Sequence, residues 1–74
     1  MTNYKNPNGS VVSIYKGRGA LIEPGAWIGA GAWIEAGAWI GAGARIETRA
    51  WIGAEARIEA GVRIEAGAMT NKEK

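Results

Sequence analysis

The hydrophobic pattern of this chain repeats every six residues through its central part. Isoleucine occupies every sixth position without a slip, at Ile22, Ile28, Ile34, Ile40, Ile46, Ile52, Ile58 and Ile64. A period of six is neither the period of an α-helix nor the simple alternation of a long strand. It indicates stacked units that each contribute one short strand and one turn to a solenoid.

The positions around each isoleucine are equally regular. Two residues before it stands a small side chain, usually alanine, with Val62 in one repeat. Because side chains alternate along a strand, this small residue shares the buried face with isoleucine, and the residues directly before and after isoleucine point outward. Three residues after isoleucine comes glycine, which tolerates the positive φ of a corner. Arg49 and Glu55 are the two exceptions.

The unit Ala-(Trp/Arg)-Ile-(Gly/Glu)-Ala-Gly resembles the hexapeptide-repeat family. That family's motif is an aliphatic residue, a small or acidic one, two free positions, a small residue and a free position. Its members fold as a left-handed parallel β-helix of triangular section, with three hexads per coil, and commonly form trimers. The resemblance covers about two-thirds of the chain. It predicts an all-β protein, a short left-handed parallel β-helix of under three to about three coils with an N-terminal strand or cap.

The chain divides into three predicted zones. Residues 1–16 are predicted to be a cap with one short strand at 10–16, which is rich in β-branched and aromatic residues. The apolar residues of this strand miss the isoleucine register, so we expect it to cap the solenoid or pair with its edge. Residues 1–9 are polar and turn-rich, which indicates a flexible segment or surface cap. Residues 17–70 carry the repeat, and residues 71–74 form a polar tail.

Three hexads per coil place residues 18 apart next to each other along the stack. The outward positions before isoleucine then form three ladders: Leu21, Trp39, Arg57; Trp27, Arg45, Arg63; and Trp33, Trp51, Met69. Only the third ladder is apolar throughout. Contiguous exposed apolar surface on a small protein marks a contact site. The predicted oligomer or partner interface therefore comprises Trp27, Trp33, Trp39, Trp51 and Met69.

Alternatives remain for the tryptophans. The N-terminal segment of the same chain could cover them, or a foreign partner or ligand could bind there. Glycine follows Trp27, Trp39 and Trp51 across the intervening isoleucine, and we expect it to leave room for an incoming side chain.

The outward arginines have regular neighbours. Glutamate follows each one across its isoleucine, in the pairs Arg45/Glu47, Arg57/Glu59 and Arg63/Glu65. We expect these pairs to form a solvated face on which the charges neutralise each other, and each pair to contribute about 0–1 kcal/mol to stability. Stacking of Arg45 on Trp27 and of Arg57 on Trp39 predicts cation–π contacts.

Four arginines are candidates for contacts with an anionic ligand: Arg18, Arg45, Arg49 and Arg63. Arg18 and Arg49 lack the glutamate that accompanies the others. Arg49 also replaces a corner glycine, so it is predicted to project from an edge of the solenoid rather than from a face.

Composition restricts the classes of function. The 74 residues include no cysteine and no histidine, which excludes disulfides and thiolate or imidazole metal sites. A chain of this size buries little apolar surface alone and usually needs partner subunits. The net charge of +2 is too small to argue for nucleic acid, and three arginines have glutamate neighbours. Nucleic-acid binding is therefore not favoured.

The resemblance implies enzymes, either acyltransferases that use a coenzyme A thioester or zinc-dependent carbonic anhydrases. Both depend on histidine, as general base or as metal ligand. This chain has no histidine and no cysteine thiolate, and its outward glutamates form no evident acid–base pair. We therefore expect no enzymatic activity and no cofactor.

A membrane helix is the competing interpretation of residues 24–44, which carry only one charge, Glu35, and two Gly-x-x-x-Gly spacings. The same period continues through strongly charged repeats, so no membrane contact is expected. No secretion signal is recognisable in residues 1–20. We expect a cytoplasmic location, in a bacterial cell or an infected host.

These observations predict a non-catalytic homo-oligomer, with a trimer favoured by the resemblance. It would bind, assemble with or inhibit another protein through its Trp and Arg faces. The alternative is an oligomer that sequesters an anionic, nucleotide-like molecule in grooves between subunits. Small viral inhibitors and small bacterial assembly proteins both have this size.

Overall fold

The computed structural model describes residues 2–70, and all regular structure in that range is β-strand. Two longer strands come first, β1 at Thr2–Lys5 and β2 at Val11–Lys16. Nine two-residue strands follow, one per hexad: β3 Leu21–Ile22, β4 Trp27–Ile28, β5 Trp33–Ile34, β6 Trp39–Ile40, β7 Arg45–Ile46, β8 Trp51–Ile52, β9 Arg57–Ile58, β10 Arg63–Ile64 and β11 Met69–Thr70.

The strands form three sheets that are the faces of a solenoid, and all pairings except that of β1 with β2 are parallel. The strand orders are β1-β2-β5-β8-β11, β10-β7-β4 and β3-β6-β9. Each coil therefore uses three consecutive strands, and the register is 18 residues, as in Ile28↔Ile46 and Trp33↔Trp51. The solenoid has about three coils, which confirms the predicted all-β fold and is consistent with a short left-handed β-helix. The three predicted ladders are all present.

The core is a narrow column of aliphatic side chains. Its largest fully buried members are Ile14, Ile28, Ile34, Ile40, Ile46 and Ile52, and alanines fill the space between them. Corners between strands require a positive φ, which glycine supplies at Gly25 with φ 87°. At two corners a residue with a side chain takes this conformation, Arg49 at φ 63° and Glu55 at φ 61°.

An antiparallel hairpin of β1 and β2 covers the N-terminal end of the solenoid. Its loop turns at residues 6–9, where the Gly9 N–H donates to the Asn6 carbonyl oxygen at 2.8 Å and Gly9 has φ 92°. The hairpin, and β1 in particular, was not predicted. Residues 71–74, the predicted tail, lie outside the described residues, and the division into three zones stays a prediction.

The apolar residues of β2 miss the isoleucine slots, as expected, and β2 pairs with β5 at the edge of the repeat. Tyr15 pairs with Trp33 and Lys16 with Ile34, so β2 follows the same 18-residue register as the repeat. Ile14 occupies the slot that alanine fills in later coils and is fully buried, while Lys16 takes the isoleucine slot and stays exposed. In β2 the buried aliphatic side chain therefore lies two positions earlier than it does in the later coils.

No helix within residues 2–70 is long and apolar enough to cross a membrane.

Candidate functional site

One face of the solenoid carries a continuous row of outward apolar side chains. Tyr15 stacks on Trp33 with ring centroids 4.2 Å apart and planes inclined by 21°, and Trp33 stacks on Trp51 at 5.3 Å and 17°. Met69 follows in register beside Trp51. We call Tyr15, Trp33, Trp51 and Met69 the aromatic ladder. Both of its tryptophans are 38% exposed, and Met69 is 64% exposed.

The backbone holds the aromatic ladder rigidly. Backbone N–H groups of Tyr15, Trp33 and Trp51 each donate to a carbonyl of the following coil, at 2.9, 2.8 and 2.8 Å. The Trp33 indole N–H also donates to the carboxylate of Glu35. The side chains therefore stand at the inter-strand spacing on a surface that needs little ordering before a partner binds.

Tyr15 is a member of this row that the sequence interpretation missed. Its position 18 residues before Trp33 was the available signal. That signal was discounted because Lys16, rather than isoleucine, follows Tyr15.

The other two predicted interface tryptophans have a different environment. Trp27 is partly buried, with the Arg45 guanidinium carbon 5.5 Å from its ring centroid. Trp39 is also partly buried, with Arg57 at 4.7 Å and its indole N–H donating to Glu23 at 2.9 Å. The predicted cation–π contacts are thus present. Both rings are already covered in part by their own chain, whereas Trp33 and Trp51 of the aromatic ladder are more exposed.

The glycines after Trp27 and Trp39 do not provide space for a partner, contrary to the expectation. A Cβ built on Gly29 would lie 2.4 Å from the backbone nitrogen of Thr48, and one on Gly41 would lie 2.5 Å from that of Ala60. Both glycines are buried. They are required because the backbone of the next coil passes directly over them.

The ion pairs follow the predicted pattern with one difference. Arg45 contacts Glu47 at 2.9 Å and Arg57 contacts Glu59 at 3.4 Å. Arg63 contacts Glu47 of the preceding coil at 3.2 Å, and not Glu65 as predicted. The register stacks Arg63 on Arg45, so one carboxylate lies between two guanidinium groups. All three arginine side chains are more than half exposed, so each pair contributes only about 0–1 kcal/mol.

The four candidate anion-contacting arginines do not converge within one chain. Arg45 and Arg63 lie on the face of β4, β7 and β10 and share Glu47. Arg18 and Arg49 lie on corners at opposite edges of the face that carries the aromatic ladder. The side chain of Arg49 runs along its edge, with Cγ 3.3 Å from a Cβ built on Gly31. The prediction that it projects from an edge agrees with this placement.

No pocket is found on the part of the chain that the structure describes. The same residues contain no group of three carboxylate, histidine or cysteine side chains placed to hold a metal ion.

The hairpin of β1 and β2 contributes a polar contact at the N-terminal end of the solenoid. The Tyr4 hydroxyl donates to the Ala26 carbonyl oxygen at 2.8 Å, and burial raises the pKa of this tyrosine.

Residues 31–66 match the family model described as bacterial transferase hexapeptide, with six repeats. Comparison with curated proteins and with solved structures finds no match to this chain.

Proposed function

We propose that this chain, whose residues 31–66 are hexapeptide repeats of the bacterial transferase type, is a non-catalytic subunit that self-associates and binds another protein. The aromatic ladder is the contact surface. The observation that carries this proposal is the stack of Tyr15, Trp33 and Trp51 on one face, open to solvent beside an exposed Met69.

The small size of the core supports self-association. The described core is one isoleucine column with alanines, so a single chain buries little apolar surface for its length. Hexapeptide-repeat proteins often form trimers. Joining subunits through the aromatic ladder would add large, rigid aromatic side chains to the buried area, and tryptophan and tyrosine are the residues that dominate interface energetics.

The absence of histidine and cysteine from the sequence supports a non-catalytic role. Acyl transfer needs a group that accepts a proton near neutral pH, and a thiolate nucleophile needs cysteine. Several outward glutamates instead form ion pairs with arginine or accept from indole N–H groups, as Glu47 and Glu23 do.

A second candidate function is favoured by Arg49. Its positive φ stores backbone strain, which proteins commonly retain at binding sites. It lies on an edge of the aromatic face, where a guanidinium and an indole ring could together hold an anionic, nucleotide-like molecule between two subunits. In this variant of the proposal, the oligomer sequesters that ligand.

Substitution of one tryptophan from each environment tests the principal proposal. Trp51→Ala should weaken association by about 2–4 kcal/mol, the loss typical of an interface hot spot. Trp27→Ala is the matched control, because Arg45 already covers its ring, and it should leave the solution mass unchanged. Equal masses for wild type and Trp51→Ala across a dilution series would refute the assignment of the aromatic ladder.

Nucleotide titration separates the second candidate. Wild type should show a rise in melting temperature and quenching of tryptophan fluorescence with a mixed panel of nucleotides, and Arg49→Gly should lose both. If wild type does not respond to any member of the panel, the sequestering function is wrong and protein binding remains.

A further inference from the structure

At the C-terminal end of the solenoid, no element within the described residues covers the last coil. Strands β9, β10 and β11 are each the last strand of their sheets, and nothing within residues 2–70 pairs with their outer edges. The core is also uncovered there: Val62 is 37% exposed and Ile64 is only partly buried, whereas Ile46 one coil earlier is fully buried. Exposed strand edges over an apolar core recruit another chain unless they are covered.

The N-terminal end is closed by the chain itself. Strand β1 pairs with β2 on one face. On another face, the Asn6 side-chain amide replaces a strand: its oxygen accepts from the Ile28 N–H at 2.8 Å and its nitrogen donates to the Ile28 carbonyl at 2.9 Å. A second copy therefore cannot continue these two faces at this end, whereas β3 is the first strand of the third face. The hairpin obstructs head-to-tail stacking, which would give open filaments.

We propose that the C-terminal end docks against the C-terminal end of a second copy, in a closed two-fold pair joined by antiparallel strands. This pairing is independent of the aromatic ladder, which lies along the side of the solenoid. A closed pair satisfies the C-terminal strand edges of both copies at once.

The spiral of the last coil selects the position of the two-fold axis. Strands β9, β10 and β11 lie on the three faces in turn. Each lies roughly 1.6 Å further along the solenoid axis than the strand before it, a third of the ~4.8 Å spacing between stacked strands. An axis through β10 pairs β10 with its counterpart and β9 with β11 of the second copy, and all three gaps are then equal. With an axis through β9 or β11, the strand on the axis would pair with its counterpart at one distance, and the other two strands would pair at a distance that differs by about a full strand spacing.

The charges on β10 are self-complementary about that axis. Arg63 and Glu65 flank Ile64 and both point outward. Antiparallel pairing centred on Ile64 places Arg63 opposite Glu65 of the second copy, twice per pair. Glu65 has no ion-pair partner among residues 2–70, and Arg63 uses its Nε for Glu47 while its other guanidinium N–H groups remain as donors. Opposite charges directly across two strands favour this register.

Charge reversal tests the arrangement by light scattering over a dilution series. Glu65→Arg places two pairs of arginines opposite each other, so the dissociation constant should rise about tenfold or more. At the wild-type midpoint the weight-average mass should then fall from about 1.5 times to about 1.1 times the mass of the unpaired assembly. The double variant Arg63→Glu, Glu65→Arg restores both pairs in swapped form and should recover the mass. Glu23→Arg is the matched control, because Glu23 directly follows β3 at the opposite end of the solenoid, and it should leave the mass unchanged.

Mixing provides the sharper test. Chains carrying only Arg63→Glu and chains carrying only Glu65→Arg should each fail to pair, since each repels itself. A one-to-one mixture should double the mass, because every charge is then opposite its complement. Circular dichroism and melting temperature confirm that each variant is folded. No change of mass with Glu65→Arg, or no gain on mixing, would overturn the proposal.

Discussion

The Asn6 side chain should carry much of the stability of the N-terminal end. It is 3% exposed, and its amide is hydrogen bonded to both backbone groups of Ile28, which is itself fully buried. Replacing Asn6 by alanine leaves a buried donor and a buried acceptor without partners. Each unsatisfied group costs about 1–3 kcal/mol, reduced where water can enter, so we expect a loss of about 2–4 kcal/mol. That is a large fraction of the total stability of so small a domain.

Urea unfolding, followed by circular dichroism and tryptophan fluorescence, measures this loss. Asn3→Ala is the control, because Asn3 lies in the same hairpin with an exposed side chain, and it should change stability by less than about 0.5 kcal/mol. A loss below about 0.5 kcal/mol for Asn6→Ala as well would refute the reasoning, since two buried backbone groups cannot be abandoned so cheaply.

Asn6→Asp adds a pH test of the same contact. An ionised carboxylate can accept from the Ile28 N–H but cannot donate to the Ile28 carbonyl, so the variant should be strongly destabilised near neutral pH. Protonation restores the donor. The folded state then binds the proton more tightly than the unfolded state does, so the relative stability of the variant should increase as the pH falls. A difference from wild type that stays constant with pH would contradict the assigned hydrogen bonds.

Four further substitutions test three separate features. Gly29→Ala should lower the free energy of unfolding by more than about 2 kcal/mol, because its Cβ would meet the Thr48 backbone nitrogen at 2.4 Å. Gly61 has a positive φ but open space around it, so Gly61→Ala should lower the free energy of unfolding by only about 1 kcal/mol in the same urea titration. Burial raises the pKa of Tyr4 in the folded state, so wild-type stability should decline as the pH rises from about 10 through this raised pKa. In thermal unfolding at alkaline pH, Tyr4→Phe should lack this part of the decline. Arg49→Gly should raise the melting temperature modestly, because glycine relieves about 0.5 kcal/mol net of backbone strain at φ 63°. An unchanged or lower melting temperature would argue against strain at this corner.

The period predicted stacked units of one strand and one corner, and the resemblance to the hexapeptide-repeat family implied three of these units per coil. A hexad sets one strand and one corner by local alternation and glycine conformation, and stacking of identical units then fixes which residues are neighbours. The ladder of Trp27 on Arg45 follows from that register without knowledge of any side-chain contact. The column of buried isoleucines follows in the same way.

Contacts that do not repeat could not be found this way. Asn6 reaches Ile28, and Tyr4 reaches Ala26, each 22 residues along the chain and outside the 18-residue register. Tyr15 belongs to the register but lacks the isoleucine that marks it. The choice of Glu47 by Arg63 depends on the rotamers of two long exposed side chains, which sequence spacing does not determine.

The most direct test of the account is the solution mass of Glu65→Arg at micromolar concentration, by sedimentation equilibrium. This variant removes the proposed end contact and leaves only association through the aromatic ladder. The account predicts a mass of three chains of 7.8 kDa each, lost on the further substitution Trp51→Ala. A folded single chain of 7.8 kDa before that second substitution would contradict the central claim that the aromatic ladder joins subunits.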